Sequence, residues 1–362
     1  MPKPETILQL DLGREWRGGQ RQVLYLCRHL AHSGKYRPII ATPEGSPLAD
    51  AAREAEVEVI SLPSRFEWHP GSIYKLLRRI ASDHIRFVQT HCARSASLGA
   101  ALKVLSREDF ALIHSRRVSY RPGRGWSHKK YDLADAVVCV SAEIAETMRE
   151  SGLEPEHVSV IHSGIDPRRY PRHVIESKNS LHVGMVGALT PQKGHGVFLN
   201  ALGLMNAMRD VPDWHASIVG DGRLRKDLEM QAKKLGLEAS VRFLGYRESS
   251  SVLPDFDLLV VPSVDGEGSS GVIKEGWAAG VPVVCSDLPS NLELVEPGKS
   301  GESFRSQDTE ALALLLADLM QDAQREGDWL PNLVAQGDER LKLFTDVAMA
   351  ESYMRLYARF VA

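Results

Sequence analysis

The stretch VPSVDGEGSSGVIKEGWAAGVPVVCSD, residues 261–287, contains the end of an apolar strand, a glycine-rich loop, a helix and the next apolar strand. Two strands joined through a helix in this way are typical of a parallel sheet. Short β-rich runs alternate with amphipathic helical stretches along the rest of the chain as well. The predicted fold class is therefore α/β, with parallel sheets covered by helices.

The strand candidates fall into two series. The first series starts at Thr6, Arg37, Val57, Arg86, Phe110, Ala136 and Val158, and the second at Leu181, His215, Val241, Leu258 and Pro282. Residues 165–180 between them are polar, contain two prolines and show no period, which indicates a linker. A chain of 362 residues also exceeds the usual size of one core. We predict two Rossmann-like, doubly wound domains facing a central cleft, at 1–170 and 178–343, with a final helix in 344–362 that packs back on the first domain.

Composition and charge limit the classes of protein to which the chain can belong. The chain is 43% hydrophobic and 25% charged, as in an average globular protein, and its four cysteines are far apart and read as reduced core residues. No apolar stretch has the length of a signal peptide or a membrane span, so we expect a cytoplasmic protein. The net charge of −3 is divided into +5 over residues 1–176 and −8 over the remainder. The first half is the better candidate for contact with an acidic acceptor or an anionic membrane, although scatter over solvated faces is an equal alternative.

Two loops that follow strands have the composition of phosphate or sugar sites. Gly18 and Gly19 precede the first helix, where bare backbone and a helix N-terminus suit a phosphate or a sugar hydroxyl. A tight turn that requires a positive φ is the alternative. In VGALTPQKGH, Gly187 ends a strand and Lys193 follows in a short loop, where its ammonium could meet a diphosphate; a solvated surface lysine is the alternative.

The stretch 261–287 combines two glutamates with a helix start. Glu267 lies in the loop, Ser269 or Ser270 can cap the helix, and Glu275 lies about one turn inside it. Glycines on both sides of the serines leave room for a phosphate. Each glutamate alone favours a solvated or capping carboxylate, whereas the pair indicates two contacts to one extended ligand.

The sequence resembles the family 4 glycosyltransferases, also called glycosyl transferases group 1. The resemblance covers nearly the whole chain and is strongest in GEGSSGVIKEGWAAGVPVVCSD and GALTPQKGH; WRGGQRQ, THCARSASLG and VSVIHSGID are also similar. It implies the GT-B fold and a transferase of the hexosyltransferase kind that retains anomeric configuration and needs no metal.

The resemblance also implies roles for individual residues. Glu267 would lie beside the transferred sugar, Glu275 would hold the donor ribose, and Lys193 would neutralise the diphosphate. The remaining donor contacts would come from Gly18, Gly19, Gly187, Phe243, Leu244, Ser270, Gly271 and Val272. Within this set, Phe243 and Leu244 belong to the FLGY segment, Phe243 to Tyr246, which matches the stretch that holds the base in the family. One position departs from the family, since Ala188 stands where many members have an arginine, so part of the phosphate charge must be met elsewhere.

Histidines and arginines at strand ends of the first domain are candidates for the sugar and the acceptor. His114 matches a family histidine close to the donor sugar and is a catalytic candidate, and a satisfied core histidine is the alternative. We assign His91, Arg94, Arg116 and Arg117 to the acceptor, and a satisfied core histidine is again the alternative for His91. Six basic residues crowd the segment after His114, which suits an anionic acceptor as well as plain solvation: Arg116, Arg117, Arg121, Arg124, Lys129 and Lys130. The segment lacks the aromatic interleaving of a nucleic-acid binder.

The sequence predicts a glycosyltransferase that uses a nucleotide sugar, with UDP the favoured base, and a glycan or lipid-linked acceptor. Lipopolysaccharide or another cell-envelope polysaccharide is the expected product, made at the cytoplasmic face of the inner membrane. The alternatives are a nucleotide-sugar epimerase or hydrolase of the same fold and a non-catalytic sugar-nucleotide-binding protein. A dehydrogenase is disfavoured because no GxGxxG follows the first strand.

Overall fold

The structure, a computed structural model, describes residues 3–173, 180–265 and 268–361. The chain divides into two compact units. Unit 1 comprises Met1–Gly164 and Thr345–Ala362, and unit 2 comprises Ile165–Phe344. The predicted linker overlaps the start of unit 2, and its residues 174–179 lie outside the described residues.

Unit 1 is built on a parallel sheet of seven strands in the order β3-β2-β1-β4-β5-β6-β7. The strands are β1 (Glu5–Leu10), β2 (Tyr36–Pro43), β3 (Glu58–Leu62), β4 (Ile85–Thr90), β5 (Ala111–Arg116), β6 (Ala136–Cys139) and β7 (Val158–Val160). The connecting helices are α1 (Gly18–His32), α2 (Pro47–Glu54), α3 (Pro70–Ser82), α4 (Ala93–Leu105), α5 (Trp126–Asp132) and α6 (Ala142–Glu150). The strand order reverses between β1 and β4, which is where open parallel sheets place their ligands.

Helices cover both faces of this sheet. Ile7 and Leu8 are neighbours in β1 and point to opposite faces, yet both are fully buried, in two different apolar clusters. Strands buried on both faces read as continuous apolar runs, which is why the sequence revealed them.

Unit 2 has a parallel sheet of six strands in the order β10-β9-β8-β11-β12-β13. The strands are β8 (Ser180–Val186), β9 (Asp213–Val219), β10 (Val241–Gly245), β11 (Leu258–Val261), β12 (Val283–Ser286) and β13 (Glu302–Phe304). The helices are α7 (His195–Ala207), α8 (Arg225–Lys234), α9 (Gly271–Ala279), α10 (Pro289–Leu292), α11 (Thr309–Gln324) and α12 (Trp329–Leu341). The prediction of two doubly wound α/β domains is confirmed. The edge strand β13 was missed because its three residues include a single apolar one, Phe304.

The last helix, α13 (Asp346–Ala358), belongs to unit 1 although it follows unit 2 in the chain. Tyr357 on this helix packs against Tyr36 and Phe87, with ring centroids 5.6 and 5.1 Å away. Its hydroxyl donates to Gln89 on β4, and the hydroxyls of Tyr353 and Ser115 lie 3.1 Å apart. The helix therefore completes the buried polar and aromatic core of unit 1.

The chain passes between the units at two neighbouring places. The amide of Ile165 donates to the carbonyl of Phe344 at 3.0 Å, inside unit 2. On the side of unit 1, a Cβ on Gly164 would lie 2.4 Å from the carbonyl oxygen of Thr345, so only glycine permits this approach. The side-chain amide of Gln22 donates to the carbonyl of Gly164 at 2.7 Å and accepts from the backbone amide of Gly164 at 2.9 Å.

None of the helices in the described part of the chain combines the length and the apolar composition that crossing a bilayer requires.

Candidate functional site

In unit 1 the loop between β1 and α1 is folded onto a buried carboxylate. Asp11 accepts hydrogen bonds from the amide of Gly13 at 2.6 Å and from Nε2 of Gln20 at 3.1 Å. Burial raises the pKa of Asp11, and these two bonds oppose the rise. The loop is thereby held at the carboxyl end of β1, next to the switch point of the sheet.

Gly18 and Gly19 lie at the start of α1 with ordinary backbone conformations. Neither has a positive φ, so the tight-turn alternative does not account for them. A Cβ on Gly18 would meet nothing within 4 Å, and one on Gly19 would meet only Cδ of Arg117, at 3.9 Å. Open space beside the first turn of a helix is what an approaching ligand needs, and donor binding by these glycines stays a prediction.

His91, at the end of β4, is held in one tautomer. Nη2 of Arg117 lies 3.5 Å from its Nδ1, and its Nε2 lies 2.5 Å from Oε1 of Gln9. Since the guanidinium donates to Nδ1, the ring proton is on Nε2. Burial and the Arg117 charge hold the pKa of His91 well below its usual value, so the ring is neutral. His91 and Arg117 thus come together beside Asp11.

His114, inside β5, has the contacts of a core histidine. It is 1% exposed, and its ring nitrogens lie 2.8 Å from Oγ1 of Thr90 and 2.9 Å from the carbonyl oxygen of Lys130. Burial lowers the pKa of His114 to about 4. A sugar hydroxyl would have to displace one of these bonds. The geometry therefore favours the structural alternative, and the catalytic role stays a prediction.

The basic segment after β5 is not one exposed cluster. Arg116 is 4% exposed, donates to the hydroxyl of Tyr131 at 2.7 Å and lies 5.3 Å from the ring centroids of Tyr120 and Tyr131. Lys130 is buried on α5 and donates to the carbonyl of Ala93 at 2.9 Å. The expectation of six exposed cations after β5 is therefore wrong for these two, because Arg116 joins β5 to Tyr131 on α5 and Lys130 joins α5 to the first residue of α4.

The other basic side chains remain accessible. Arg117 is half-buried, whereas Arg94, in the first turn of α4, is exposed; three more exposed side chains follow β5, namely Arg121, Arg124 and Lys129. Burial lowers the pKa of Arg117, and the neighbouring Tyr353 and Asp11 counteract that effect. Acceptor binding by Arg94 and Arg117 stays a prediction.

In unit 2 the loop after β8 is shaped by close backbone contacts. A Cβ on Gly220 would lie 1.9 Å from the carbonyl oxygen of Gly187. The stem of Lys193 runs beside Gly187, since a Cβ there would lie 3.6 Å from Cγ and Cδ of the lysine. Lys193 is half-buried, and Ala188 is exposed on the same loop. A half-buried ammonium beside a strand end that lacks a side chain can bind a phosphate.

A second close contact joins this loop to the one that leads into α9. Gly194 has a φ of 72°, and a Cβ there would lie 1.8 Å from the carbonyl oxygen of Pro262. The amide of Val264 donates to the carbonyl of Gln192 at 2.8 Å. The turn that carries Lys193 therefore lies against the end of β11.

The first turn of α9 contains polar groups that have no hydrogen-bond partner among the described residues. Ser270 occupies the N-cap position, but its hydroxyl makes no cap bond. That hydroxyl is buried and has no hydrogen-bond partner among the described residues, and the residue is 2% exposed. Ser269 does not cap the helix either, because its hydroxyl accepts from Nζ of Lys274 at 2.8 Å. Without a side-chain cap, the amides of Gly271 and Val272 are available to an anion.

Glu275 lies on α9 with its carboxylate turned towards the helix start. A Cβ on Gly271 would lie 3.9 Å from its Oε1. The side chain is half-buried, and no hydrogen bond or ion pair to it occurs among the described residues. The other glutamate, Glu267, lies outside the described residues, so its catalytic role stays a prediction.

The proposed base site lies on β10. Phe243 and Leu244 are half-buried, and the guanidinium of Arg225 lies 5.2 Å from the Phe243 ring centroid and donates to its carbonyl at 3.1 Å. Contact with a nucleotide base by this strand stays a prediction.

Two buried basic residues near these loops were not predicted from the sequence. His195, at the start of α7, is 1% exposed, and neither ring nitrogen makes a hydrogen bond of normal geometry within the described residues. Burial and the neighbouring Lys193 lower its pKa to about 4. Lys274 is fully buried on α9. Its position could have been noticed, since it falls between Ser270 and Trp277 on the same helical stripe.

Family models match both parts of the chain. The model described as Glycosyltransferase Family 4 matches residues 16–169, and the model described as Glycosyl transferases group 1 matches residues 180–322. The chain belongs to the family 4 glycosyltransferases. The first match contains Gly18, Gly19 and His91, and the second contains the loops after β8 and β11 in unit 2.

Curated relatives and solved structures agree with this family. A putative colanic acid biosynthesis glycosyltransferase of Salmonella typhimurium is 27% identical over 57% of this chain and 52% of that relative, so this chain spans about half of its length. An Escherichia coli galactosyltransferase, named for transfer from UDP-Gal to GlcNAc-diphosphoundecaprenol, is 26% identical over 69% of this chain and 70% of its own. The Anabaena HepE protein, solved with UDP and glucose, is 20% identical with a TM-score of 0.81 over 98% and 100% of the two chains. This likeness shows the GT-B fold.

Proposed function

We propose that the protein transfers a sugar from a UDP-sugar to a hydroxyl of a glycan or lipid-linked acceptor. The observation that carries this proposal is the start of α9. There, amides without a side-chain cap from Ser270 and a Ser270 hydroxyl without a partner among the described residues lie one turn from the carboxylate of Glu275. A diphosphate accepts hydrogen bonds and a ribose donates them, so these two kinds of group suit the two parts of a nucleoside diphosphate. The complexes of HepE with UDP support uracil as the base.

In the proposed reaction, Lys193 and the α9 amides stabilise the charge that grows on the leaving diphosphate. The acceptor hydroxyl attacks the anomeric carbon on the face from which the phosphate departs, and a phosphate oxygen takes the proton, so configuration is retained. Glu267 would lie beside the sugar. We propose that the protein provides this stabilisation without a metal ion.

The relatives support a place in cell-envelope polysaccharide synthesis. Their names refer to colanic acid, the lipopolysaccharide core and a diphosphoundecaprenol acceptor. A lipid-linked acceptor would bring unit 1 to the cytoplasmic face of the inner membrane. Exposed Phe66, Trp68 and Tyr74 lie on unit 1 near the exposed cations Lys75 and Arg78, a combination that suits an anionic bilayer surface.

The donor is tested by thermal shift with UDP, GDP, ADP and their sugars, because a ligand of the native state raises the melting temperature by mass action. We expect UDP and one UDP-sugar to give the largest shift. A preference for GDP or ADP would correct the base, and no shift with any nucleotide would contradict the proposal.

The reaction is tested with the stabilising UDP-sugar and polyprenyl diphosphate sugars or core oligosaccharides as acceptors. We expect a glycoside whose anomeric proton, in its NMR spectrum, has the coupling of the donor, and a rate unchanged by EDTA. Free sugar or an epimer in the absence of acceptor would indicate the epimerase or hydrolase instead. Loss of activity in EDTA with recovery in Mg²⁺ would contradict metal independence.

A further inference from the structure

Helix α9 buries a lysine directly behind the proposed phosphate site. Lys274 is 0% exposed, its Nζ donates to Oγ of Ser269 at 2.8 Å, and it lies 5.5 Å from the ring centroid of Phe344. Transfer of an ammonium from water to a protein interior is unfavourable unless polar or aromatic partners offset it. A methionine or leucine would fill such a position at no electrostatic cost, so the polar end of the lysine is the property to test.

The direction of the side chain places its charge at the helix start. Side chains in a helix tilt towards the N-terminus, and the ammonium of Lys274 reaches Ser269, the residue before the N-cap. The uncapped amides and the positive end of the helix dipole lie in the same turn. The Nζ of the lysine thus lies behind the groups that would face a diphosphate.

The loop after β8 supplies little of the positive charge that a diphosphate needs. Ala188 is exposed there and carries no charge, which leaves Lys193 as the cation of that loop. Behind α9 the charge is shielded from water, and a buried charge acts over a longer distance than a solvated one.

We propose that Lys274 is a positioning residue for the donor diphosphate. It fixes Ser269 in front of the α9 N-cap and raises the positive potential at the first turn, in place of a surface arginine at position 188. This inference rests on the proposed function, since it assumes that unit 2 binds a nucleoside diphosphate.

The test compares the affinities of UDP and uridine, because uridine shares the base and ribose but carries no phosphate. Lys274→Met removes the charge and nearly keeps the shape. By titration calorimetry, we expect the variant to bind UDP about ten-fold more weakly and uridine within two-fold of the wild-type affinity. The control is Lys234→Met, which removes one charge from the exposed last turn of α8 and should change neither affinity.

If Lys274 has a structural role alone, Lys274→Met would lower the melting temperature or weaken the binding of UDP and uridine equally. An unchanged ratio of the two affinities would overturn the inference. If Lys274→Met does not fold, Ser269→Ala breaks the same link with a smaller change in volume; we expect it to weaken UDP about three-fold and leave uridine unaffected. Failure of the wild-type protein to bind UDP, GDP or ADP would overturn the proposed function and the inference together. If the wild type binds UDP and the variants keep the same ratio of UDP affinity to uridine affinity, the inference alone would be overturned.

Discussion

Glu275 is the residue whose substitution tests donor binding most directly. Its carboxylate is half-buried and makes no bond in the described structure, so removing it leaves no protein group unsatisfied. We expect Glu275→Ala to fold normally and to raise the KM for the donor ten-fold or more, since a hydrogen bond to a charged group contributes about 1.5 to 3 kcal/mol. Steady-state kinetics with the melting temperature as control measures this effect. An unchanged KM in the folded variant would remove Glu275 from the donor site.

Arg116 and Arg117 are adjacent in sequence, but the structure separates their roles. Arg116 is buried between two tyrosine rings, so we expect Arg116→Ala to lower the free energy of unfolding by about 2 kcal/mol or more. Arg117 reaches His91 beside Asp11, so we expect Arg117→Ala to raise the acceptor KM and leave the donor KM alone. Urea unfolding and kinetics on the two single variants separate these effects. Equal stability losses would make Arg117 structural as well.

The elements themselves were largely predictable from the sequence. All seven strands of unit 1 and five of the six in unit 2 were found because strands buried on both faces are short, apolar and bounded by turn residues. Burial of Arg116 and Lys130 was not predictable, because their polarity favours exposure and only the folded chain supplies their partners, whereas the helical stripe of α9 marks Lys274 as a buried position. The missing cap at Ser270 was also hidden, since serine before a helix predicts a cap whether or not its hydroxyl is used.

Helix α13 is tied to unit 1 by buried hydroxyls. Tyr357 is fully buried and donates to Gln89 on the central strand β4. We expect Tyr357→Phe to destabilise the protein by about 1 to 3 kcal/mol, because buried polar groups lose a partner. Tyr74→Phe removes the hydroxyl from a 64% exposed tyrosine of the same unit and should have no effect. Urea unfolding measures both variants, and equal stability of the two would show that the hydroxyl network contributes nothing.

At the scale of the whole molecule, both units contain histidines that are neutral when folded. Burial lowers the pKa of His114 in unit 1 and of His195 in unit 2 to about 4, from the usual histidine value of about 6.5. Below pH 6.5 the unfolded chain binds protons that the native chain does not, so the free energy of unfolding falls as the pH drops towards 4. Each histidine accounts for at most about 3 kcal/mol, and above pH 6.5 this contribution is fully present.

We therefore expect the urea midpoint to fall steadily from pH 7 to pH 5. His114→Asn should reduce the slope of stability against pH, whereas His32→Asn, at an exposed position on α1, should leave it unchanged. A wild-type midpoint that is constant over this range would contradict neutral burial of these rings.

The two neighbouring crossings between the units make unit 2 an insertion in unit 1. Gly164 and Thr345 are already in contact, and Ile165 and Phe344 are joined by a hydrogen bond. A segment whose ends meet can be excised or exchanged without stretching its host. Two or three glycines between Gly164 and Thr345 should therefore close unit 1 into one cooperatively folding chain that keeps α13, and residues 165–344 alone should still bind UDP. By the same logic, grafting the corresponding segment of a relative would exchange the donor specificity while the acceptor groups of unit 1 stay in place.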